Sequence, residues 1–203
     1  MILRVVMIGL ALAAIALPAG AQAAGSNVVI EANFSGTAGE SGATHHRAVN
    51  TVDAATGAPA DWAADWVTGA GTPITPQLKG PYGTTLRVID IVPACGGGAD
   101  GGTAVKIGVS EPNGGPEIGW VAYLHLANVG VAEGQVVYPD TVLGTVADGL
   151  PYNENCWTGP HLHVEGFNHA QHSCFYDPPA VAPGTPIGRI GGGDVGAPQS
   201  RCP

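Results

Sequence analysis

Glycine and proline interrupt every apolar segment of this chain and so limit the length of any regular element. The 203 residues include 32 Gly and 17 Pro without a fixed period, which argues against a collagen-like repeat. The segments between them are short and have β patterns, at residues 84–92, 103–109, 118–124, 141–146 and 161–167. We therefore predict a single all-β domain, a compact antiparallel β-sheet fold with long loops.

The other segments carry weaker signals, and none has a helical stripe. Residues 27–34 and 48–55 resemble strands, whereas residues 57–81, rich in Pro, Gly and Trp, have no clean period and are predicted to be irregular. Trp62, Trp66 and Trp157 fit either a binding groove or a packed core, and packing is the commoner role. Residues 177–203 form a Pro/Gly-rich tail with little to bury, so we expect the domain to span residues 24–176.

The N-terminus has the three parts of a secretory signal. Arg4 precedes an apolar run at residues 5–17, and residues 21–23 read AQA, a small-x-small cleavage site. A membrane anchor is the alternative, but the run stays within the usual signal length of about 7–15 residues. We predict a signal peptide over residues 1–23 and a mature chain from Ala24. Such a chain is secreted, extracellular or periplasmic, and has no membrane contact after signal removal.

The charge balance narrows the class of partner. Seven Lys and Arg face sixteen Asp and Glu, a formal net charge of −9. Nucleic-acid binding needs a basic face that neutralises phosphates, and this chain lacks the residues to build one. We therefore expect no nucleic-acid partner.

Four cysteines, all after the predicted signal, indicate disulfides in an oxidising compartment. Three pairings are possible. We favour Cys156 with Cys174, which would enclose the most chemically suggestive segment, and Cys95 with Cys202, which would tie the tail to the body. A cysteine zinc site is the competing interpretation, but no Cys-x-x-Cys pair is present.

Histidine placement is the most informative feature for function. His45 and His46 are adjacent, His125 lies in the segment YLHL, and His161 and His163 form a His-x-His pair. In a strand, the two members of that pair face the same side about 7 Å apart, so they can serve one site. For His169 and His172, in a polar loop, a hydrogen-bonded or exposed role is the simpler interpretation.

A catalytic zinc ion needs about three protein ligands of the His, Asp or Glu type. Residues 44–53, THHRAVNTVD, offer a histidine and an acid upstream of the His-x-His pair. A histidine and an aspartate seven residues apart are a weak signal alone. Together with His125 and the pair, they predict a metal site more specifically.

Several motifs together resemble the lysostaphin-type zinc metallopeptidases, whose catalytic module is the LytM domain. Residues 158–165, TGPHLHVE, resemble the family signature around its His-x-His motif, and residues 123–126, YLHL, resemble its Tyr-x-His-Leu segment. Residues 134–146 are similar to the Gly-Gln turn and returning strand between them, and residues 52–59 to the segment with the ligand aspartate. The resemblance covers roughly residues 27–175 and implies the LytM fold.

The resemblance implies a role for each matching residue. His163 and Asp53 would bind one Zn²⁺ per chain with an upstream histidine, and His161 and His125 would be the catalytic pair that does not bind metal. The sequence departs from the family's commonest His–Asp spacing of four, because His46 plus four is Asn50. Asn is a poor zinc ligand, so we choose Asp53. His46 is chosen over His45 because it leaves the shorter insertion.

Glu165 lies on the same strand face as the His-x-His pair. It fits either an acceptor that orients a ligand imidazole or a structural carboxylate at the edge of the site. Both interpretations remain open.

The resemblance also implies the activity. We expect a monomeric zinc metalloendopeptidase that hydrolyses stem or cross-bridge peptides of bacterial peptidoglycan or a Gly-rich polypeptide. The alternative is a non-catalytic LytM-like module that binds peptidoglycan or regulates a partner hydrolase. A zinc-independent lectin-like domain is a third possibility that leaves the His-x-His pair unexplained. The cleaved bond, and whether the wall is the cell's own or a competitor's, stay open.

Overall fold

The computed structural model describes residues 28–39, 61–93, 102–149, 159–169, 173–191 and 202. Across these ranges the chain forms β-strands and one 3-10 turn at Pro112–Gly114, so the predicted all-β class is confirmed. None of the described segments forms a helix long and apolar enough to cross a membrane. The strands are β1 (Val28–Glu31), β2 (Gly36–Ala38), β3 (Trp62–Val67), β4 (Pro73–Ile74), β5 (Leu78–Lys79), β6 (Thr85–Pro93), β7 (Thr103–Ser110), β8 (Glu117–Ala127), β9 (Val136–Val137), β10 (Gly144–Val146), β11 (His161–Asn168), β12 (Cys174–Phe175), β13 (Ala180–Val181) and β14 (Pro186–Ile190).

The strands form a large and a small antiparallel sheet. The large sheet has the order β13-β2-β3-β11-β8-β7-β6-β9, and β10 adds to it by pairing with β4 and β8. The small sheet has the order β12-β14-β1-β5. The main hydrophobic core includes residues of both sheets, among them Ile30 and Ile187 from the small sheet and Val121 and Val164 from the large one.

The central strands of the large sheet bury both faces. On β8, Val121 and Tyr123 belong to the main core, whereas the alternate residues Trp120, Ala122 and Leu124 belong to a second apolar cluster. This division follows from the two-residue period of a strand. The second cluster also contains Phe167 of β11. The odd-numbered residues of β11, which include both histidines, therefore face away from the main core.

The stretch at residues 57–81, predicted to be irregular, carries three strands where the structure describes it. β3 pairs with β11 from Trp62 to Val67, next to the His-x-His strand. The prediction is wrong because both faces of β3 are buried, which removes the alternation of polar and apolar residues that marks a strand in sequence. Trp62 and Trp66 are fully buried, which confirms packing rather than a groove as their role.

The tail contributes more to the fold than predicted. β14 lies between β12 and β1, and Ile187 and Ile190 are fully buried in the main core. Val181 on β13 is also buried. The expectation of little to bury after Asp177 is therefore wrong for residues 177–191, because two short strands with few apolar residues give a weak sequence pattern. The domain boundaries themselves stay a prediction.

The structure pairs Cys174 with Cys202. This bond excludes both predicted pairings, Cys156 with Cys174 and Cys95 with Cys202, while Cys95 and Cys156 lie outside the described residues. The physical reason is local: the Cys202 amide donates a hydrogen bond of 2.6 Å to the carbonyl of Phe175, which places residue 202 beside β12. Sequence separation alone carries no information about this proximity.

Trp62 joins the two sheets. A Cβ atom at Gly166 of β11 would lie 2.2 Å from the indole Nε1 of Trp62, and one at Gly188 of β14 would lie 2.4 Å from its ring carbon Cζ2. Phe175 of the small sheet packs beside the same ring, with centroids 6.2 Å apart. The indole therefore occupies space that only glycine leaves open on both sheets, and it fixes where β3 lies against β11.

This packing predicts that a methyl group added at Gly166 destabilises the folded protein. Gly166→Ala should lower the free energy of unfolding by about 1–3 kcal/mol, because the core is overpacked against the rigid indole. Gly130→Ala is the matched control, since a Cβ there meets nothing within 4 Å. Denaturant unfolding measures both variants, and equal stability of the two would contradict the packing described for Trp62.

Candidate active site

The register of β3 and β11 brings a carboxylate to the His-x-His pair. Asp65 lies directly opposite His163, so their side chains share one face of neighbouring strands. The Asp65 Oδ1 atom accepts a hydrogen bond of 2.7 Å from His163 Nδ1. The same oxygen lies 3.7 Å from His161 Nε2. One carboxylate therefore contacts both histidines of the pair.

Glu165 contacts the other side of the same imidazole. Two residues beyond His163 on β11, it shares that strand face, and its Oε1 accepts a hydrogen bond of 2.8 Å from His163 Nε2. The Glu165 side chain is 1% exposed and that of His163 is 5% exposed. This contact fits both the orienting role and the structural role that the sequence leaves open for Glu165.

Both ring nitrogens of His163 donate to carboxylates, which makes the ring an imidazolium in the metal-free protein. Burial lowers the pKa of His163, but the hydrogen bonds and charges of Asp65 and Glu165 outweigh burial and raise it from 6.5 to about 9. The positive ring balances buried negative charge that would otherwise be costly.

His125 reaches the site through an irregularity in β8. Its φ is +61°, a left-handed value that is uncommon for a residue other than glycine. The register between β7 and β8 also shifts here, because Thr103 pairs with Leu126 and Val105 pairs with Tyr123. Tyr123 and Leu126 both belong to the main core, so the alternation slips by one residue. This bulge frees His125 from the core face on which regular alternation would place it.

The slip brings the third imidazole beside the other two. The ring centroid of His125 lies 4.7 Å from that of His161 and 5.9 Å from that of His163. β8 pairs with β11 as far as Leu124 and with β10 from Leu126, so His125 lies where one partner strand gives way to the other. The three histidines thus meet at a fork in the sheet.

The predicted site residues are therefore only partly covered by the structure. His125, His161 and His163 come together as the motifs predicted. His46 and Asp53, and their alternatives His45 and Asn50, lie outside the described residues and stay predictions. His169 directly follows the last residue of β11 and forms a hydrogen bond of 2.8 Å with Glu117, which confirms its assignment as a hydrogen-bonded residue.

Asp65 is the site residue that the sequence did not predict. It lies within WAADWV, where the sequence pattern predicts no strand and therefore no partner of the His-x-His strand. One signal was present: an acidic residue between apolar and aromatic neighbours is costly to bury unless it is paired. Asp65 is 8% exposed, and its partner is His163.

The donor atoms of His163 and Asp65 are of the types that bind zinc. Imidazole nitrogen and carboxylate oxygen are ligands that Zn²⁺ takes, and His163 Nδ1 and Asp65 Oδ1 lie in direct contact. Within the part of the chain that the structure describes, no group of three or more His, Cys, Asp or Glu is arranged to hold a metal ion. A complete site therefore needs at least one further ligand in addition to these two.

The sequence matches no protein-family model and no curated protein. Among solved structures, it is similar to LytU at 19% identity, over 68% of this chain and 74% of that one, with a TM-score of 0.37. It is similar to lysostaphin, solved by NMR, at 18% identity over 64% of this chain and 49% of that one, with a TM-score of 0.38. Lysostaphin gives its name to the family that the motifs resemble.

A third similar structure is a zinc-containing peptidase from Vibrio cholerae. It shares 19% identity over 79% of this chain and 39% of that one, with a TM-score of 0.35. The chain thus spans about half the length of lysostaphin and less of the Vibrio protein. At these identities and TM-scores, we transfer no residue role from the three structures.

The position of His163 between two carboxylates predicts a pH dependence. Its pKa is about 9 in the folded protein against 6.5 as the reference value, so proton binding at His163 stabilises the folded state. This stabilisation is fully present below pH 6.5 and is lost as the pH rises through about 9. Denaturant unfolding of the metal-free protein across this range should show the decline. Glu165→Gln should flatten it, and equal slopes for the variant and the wild type would contradict the assignment.

Proposed function

We propose that the chain is a secreted zinc metalloendopeptidase that hydrolyses peptide bonds in bacterial peptidoglycan. The observation that carries this proposal is the convergence of three imidazoles and the Asp65 carboxylate at the fork of the sheet. These groups are the ligands and proton carriers that metal-assisted hydrolysis requires. Secretion rests on the signal-like N-terminus, and the substrate rests on the motif resemblance.

In this proposal, His163 and Asp65 hold the metal together with an upstream histidine, His46 by the sequence pattern. Asp65 is preferred over Asp53 because its carboxylate lies in contact with His163. Bound zinc would polarise the scissile carbonyl and lower the pKa of a bound water to about 7. Glu165 accepts a hydrogen bond from His163 Nε2, which leaves Nδ1 as the nitrogen that faces Asp65.

His161 and His125 supply the acid and base groups. The Nδ1 of His161 donates to the carbonyl of Gly159 at 3.1 Å, so the neutral ring carries its lone pair on Nε2. That atom faces the site and is the proton acceptor. The His125 ring packs edge-on against His161 and is placed to hydrogen-bond the substrate carbonyl oxygen or the leaving amine.

Exposure sets His161 apart from His163, whereas His125 is as buried as His163. The side chain of His161 is 13% exposed and that of His163 only 5%. A substrate therefore meets His161 before it meets the buried imidazole. His163 and Glu165 are more deeply buried, and hydrogen bonds fix their positions.

A non-catalytic module remains the second candidate, and one observation favours it. The described residues alone do not assemble three ligands, and His163 already has hydrogen-bond partners on both nitrogens. Such a module would bind peptidoglycan or a partner hydrolase without zinc. Metal content therefore separates the two candidates: about one zinc per purified chain is expected of the enzyme and none of the module.

The choice between two aspartates gives a direct prediction. Asp65→Asn should abolish stoichiometric zinc binding, because it removes the carboxylate in contact with His163, whereas Asp53→Asn should retain it. Elemental analysis of the two purified variants, each checked for folding by circular dichroism, measures this. If Asp53→Asn lost zinc and Asp65→Asn retained it, Asp53 would be the metal ligand, as the motif resemblance implies.

The proton-transfer roles give a second prediction. His161→Ala and His125→Ala should each retain zinc while losing about 10²–10⁴-fold in turnover, the usual contribution of a positioned acid or base. His169→Ala is the matched control, because it removes an imidazole bonded to Glu117 away from the fork. Turnover is measured by digesting purified peptidoglycan and identifying the new amino termini, which also locates the cleaved bond. Loss of zinc from His161→Ala, or wild-type turnover with zinc bound, would show that the roles are wrongly assigned.

A further inference from the structure

Two glycines, one of them two residues before His161, lie in contact. Gly149 follows β10, Gly159 precedes β11, and a Cβ atom at Gly149 would lie 2.6 Å from both the carbonyl carbon and the carbonyl oxygen of Gly159. Real Cβ atoms essentially never approach a backbone this closely. The backbones at residues 149 and 159 are therefore in contact, and only glycine at position 149 permits it.

The Gly159 oxygen is the same atom that holds His161. It accepts the 3.1 Å hydrogen bond from His161 Nδ1. A carbonyl oxygen cannot donate, so Nδ1 carries a proton and the lone pair of the neutral ring lies on Nε2. Any displacement of this carbonyl would release the ring and allow the other tautomer.

The backbone before Gly149 is anchored to the second catalytic histidine. The amide of Ala147 donates a hydrogen bond of 2.8 Å to the carbonyl of His125. One short segment, residues 147–149, thus touches the backbone of His125 at one end and the peptide that holds His161 at the other. The backbone positions next to both imidazoles therefore depend on the same main-chain segment.

We propose that Gly149 and Gly159 are positioning residues that fix the tautomer and orientation of His161. Gly149 sets the place of the Gly159 carbonyl, and this carbonyl holds the proton on His161 Nδ1 and directs Nε2 into the site. The inference deepens the proposed peptidase function and rests on it for its catalytic consequence. Its structural part, the tautomer, stands without any catalysis.

The tautomer is tested first, on the wild-type full chain labelled with ¹⁵N in histidine. Long-range ¹H–¹⁵N spectra should show His161 with its proton on Nδ1. A proton on Nε2 alone would overturn the proposal. A wild-type protein that has this tautomer but neither binds zinc nor cleaves peptidoglycan would refute the proposed function and leave the positioning of His161 intact.

The variant Gly149→Ala tests the link between the two glycines. Its methyl group should displace the Gly159 carbonyl, alter the His161 tautomer signal and lower kcat about 10–100-fold, the effect of a misplaced catalytic group. KM and zinc content should stay near wild type, because His161 does not bind the metal. Gly130→Ala, where a Cβ meets nothing within 4 Å, is the control and should behave as wild type. An unchanged tautomer and kcat in folded Gly149→Ala would overturn the proposal.

Gly159→Ala is the second variant, in case Gly149→Ala does not fold. Position 159 has φ of +76° and open space around its Cβ direction, so alanine there strains the backbone without a clash. Gly184→Ala is matched to it, with φ of +89° and open space, in a turn whose amide donates to the carbonyl of Ala32. Gly159→Ala should change the His161 tautomer signal and lower kcat, whereas Gly184→Ala should change neither. Identical behaviour of these two variants would contradict a positioning role.

Discussion

The buried imidazolium of His163 between Asp65 and Glu165 is the interaction on which the site depends. Two carboxylates in the interior of a sheet are costly unless a positive charge lies between them. The proton on His163 supplies that charge in the metal-free protein, because the hydrogen bonds and charges of Asp65 and Glu165 raise the pKa of the ring to about 9. A divalent cation held by His163 and Asp65 would supply positive charge beside the same carboxylates. The site therefore requires a positive charge, which either the His163 proton or a bound metal ion can provide.

This interaction exists only because of strand register. Asp65 faces His163 across β3 and β11, and Trp62, three residues before Asp65, holds β3 in place by filling the space beside Gly166 and Gly188. A shift of one residue would turn Asp65 to the other face of the sheet. The apolar packing of a tryptophan thus determines the position of a charged group on the opposite face of the strand.

The sequence predicted the parts of this arrangement that have a local pattern. The His-x-His pair lies in a strand with clear alternation, and its two rings share a face as that alternation requires. β3 has no alternation because both its faces are buried, so the strand and Asp65 were missed. The Cys174–Cys202 bond depends on which strands are neighbours in space, and the left-handed conformation of His125 depends on a bulge against β7. Neither has a signature in the residues themselves.

The pairing of β1 with β14 has a consequence for how the chain reaches its final form. Val28 lies opposite Ile190, so the first described strand pairs with the last one. Contacts between residues so distant in sequence form slowly, because a long loop must close before any stabilisation is gained. During synthesis, β1 emerges early and must wait for β14 with one edge and part of its apolar surface uncovered. The small sheet is therefore exposed to misassociation until β14 has been synthesised.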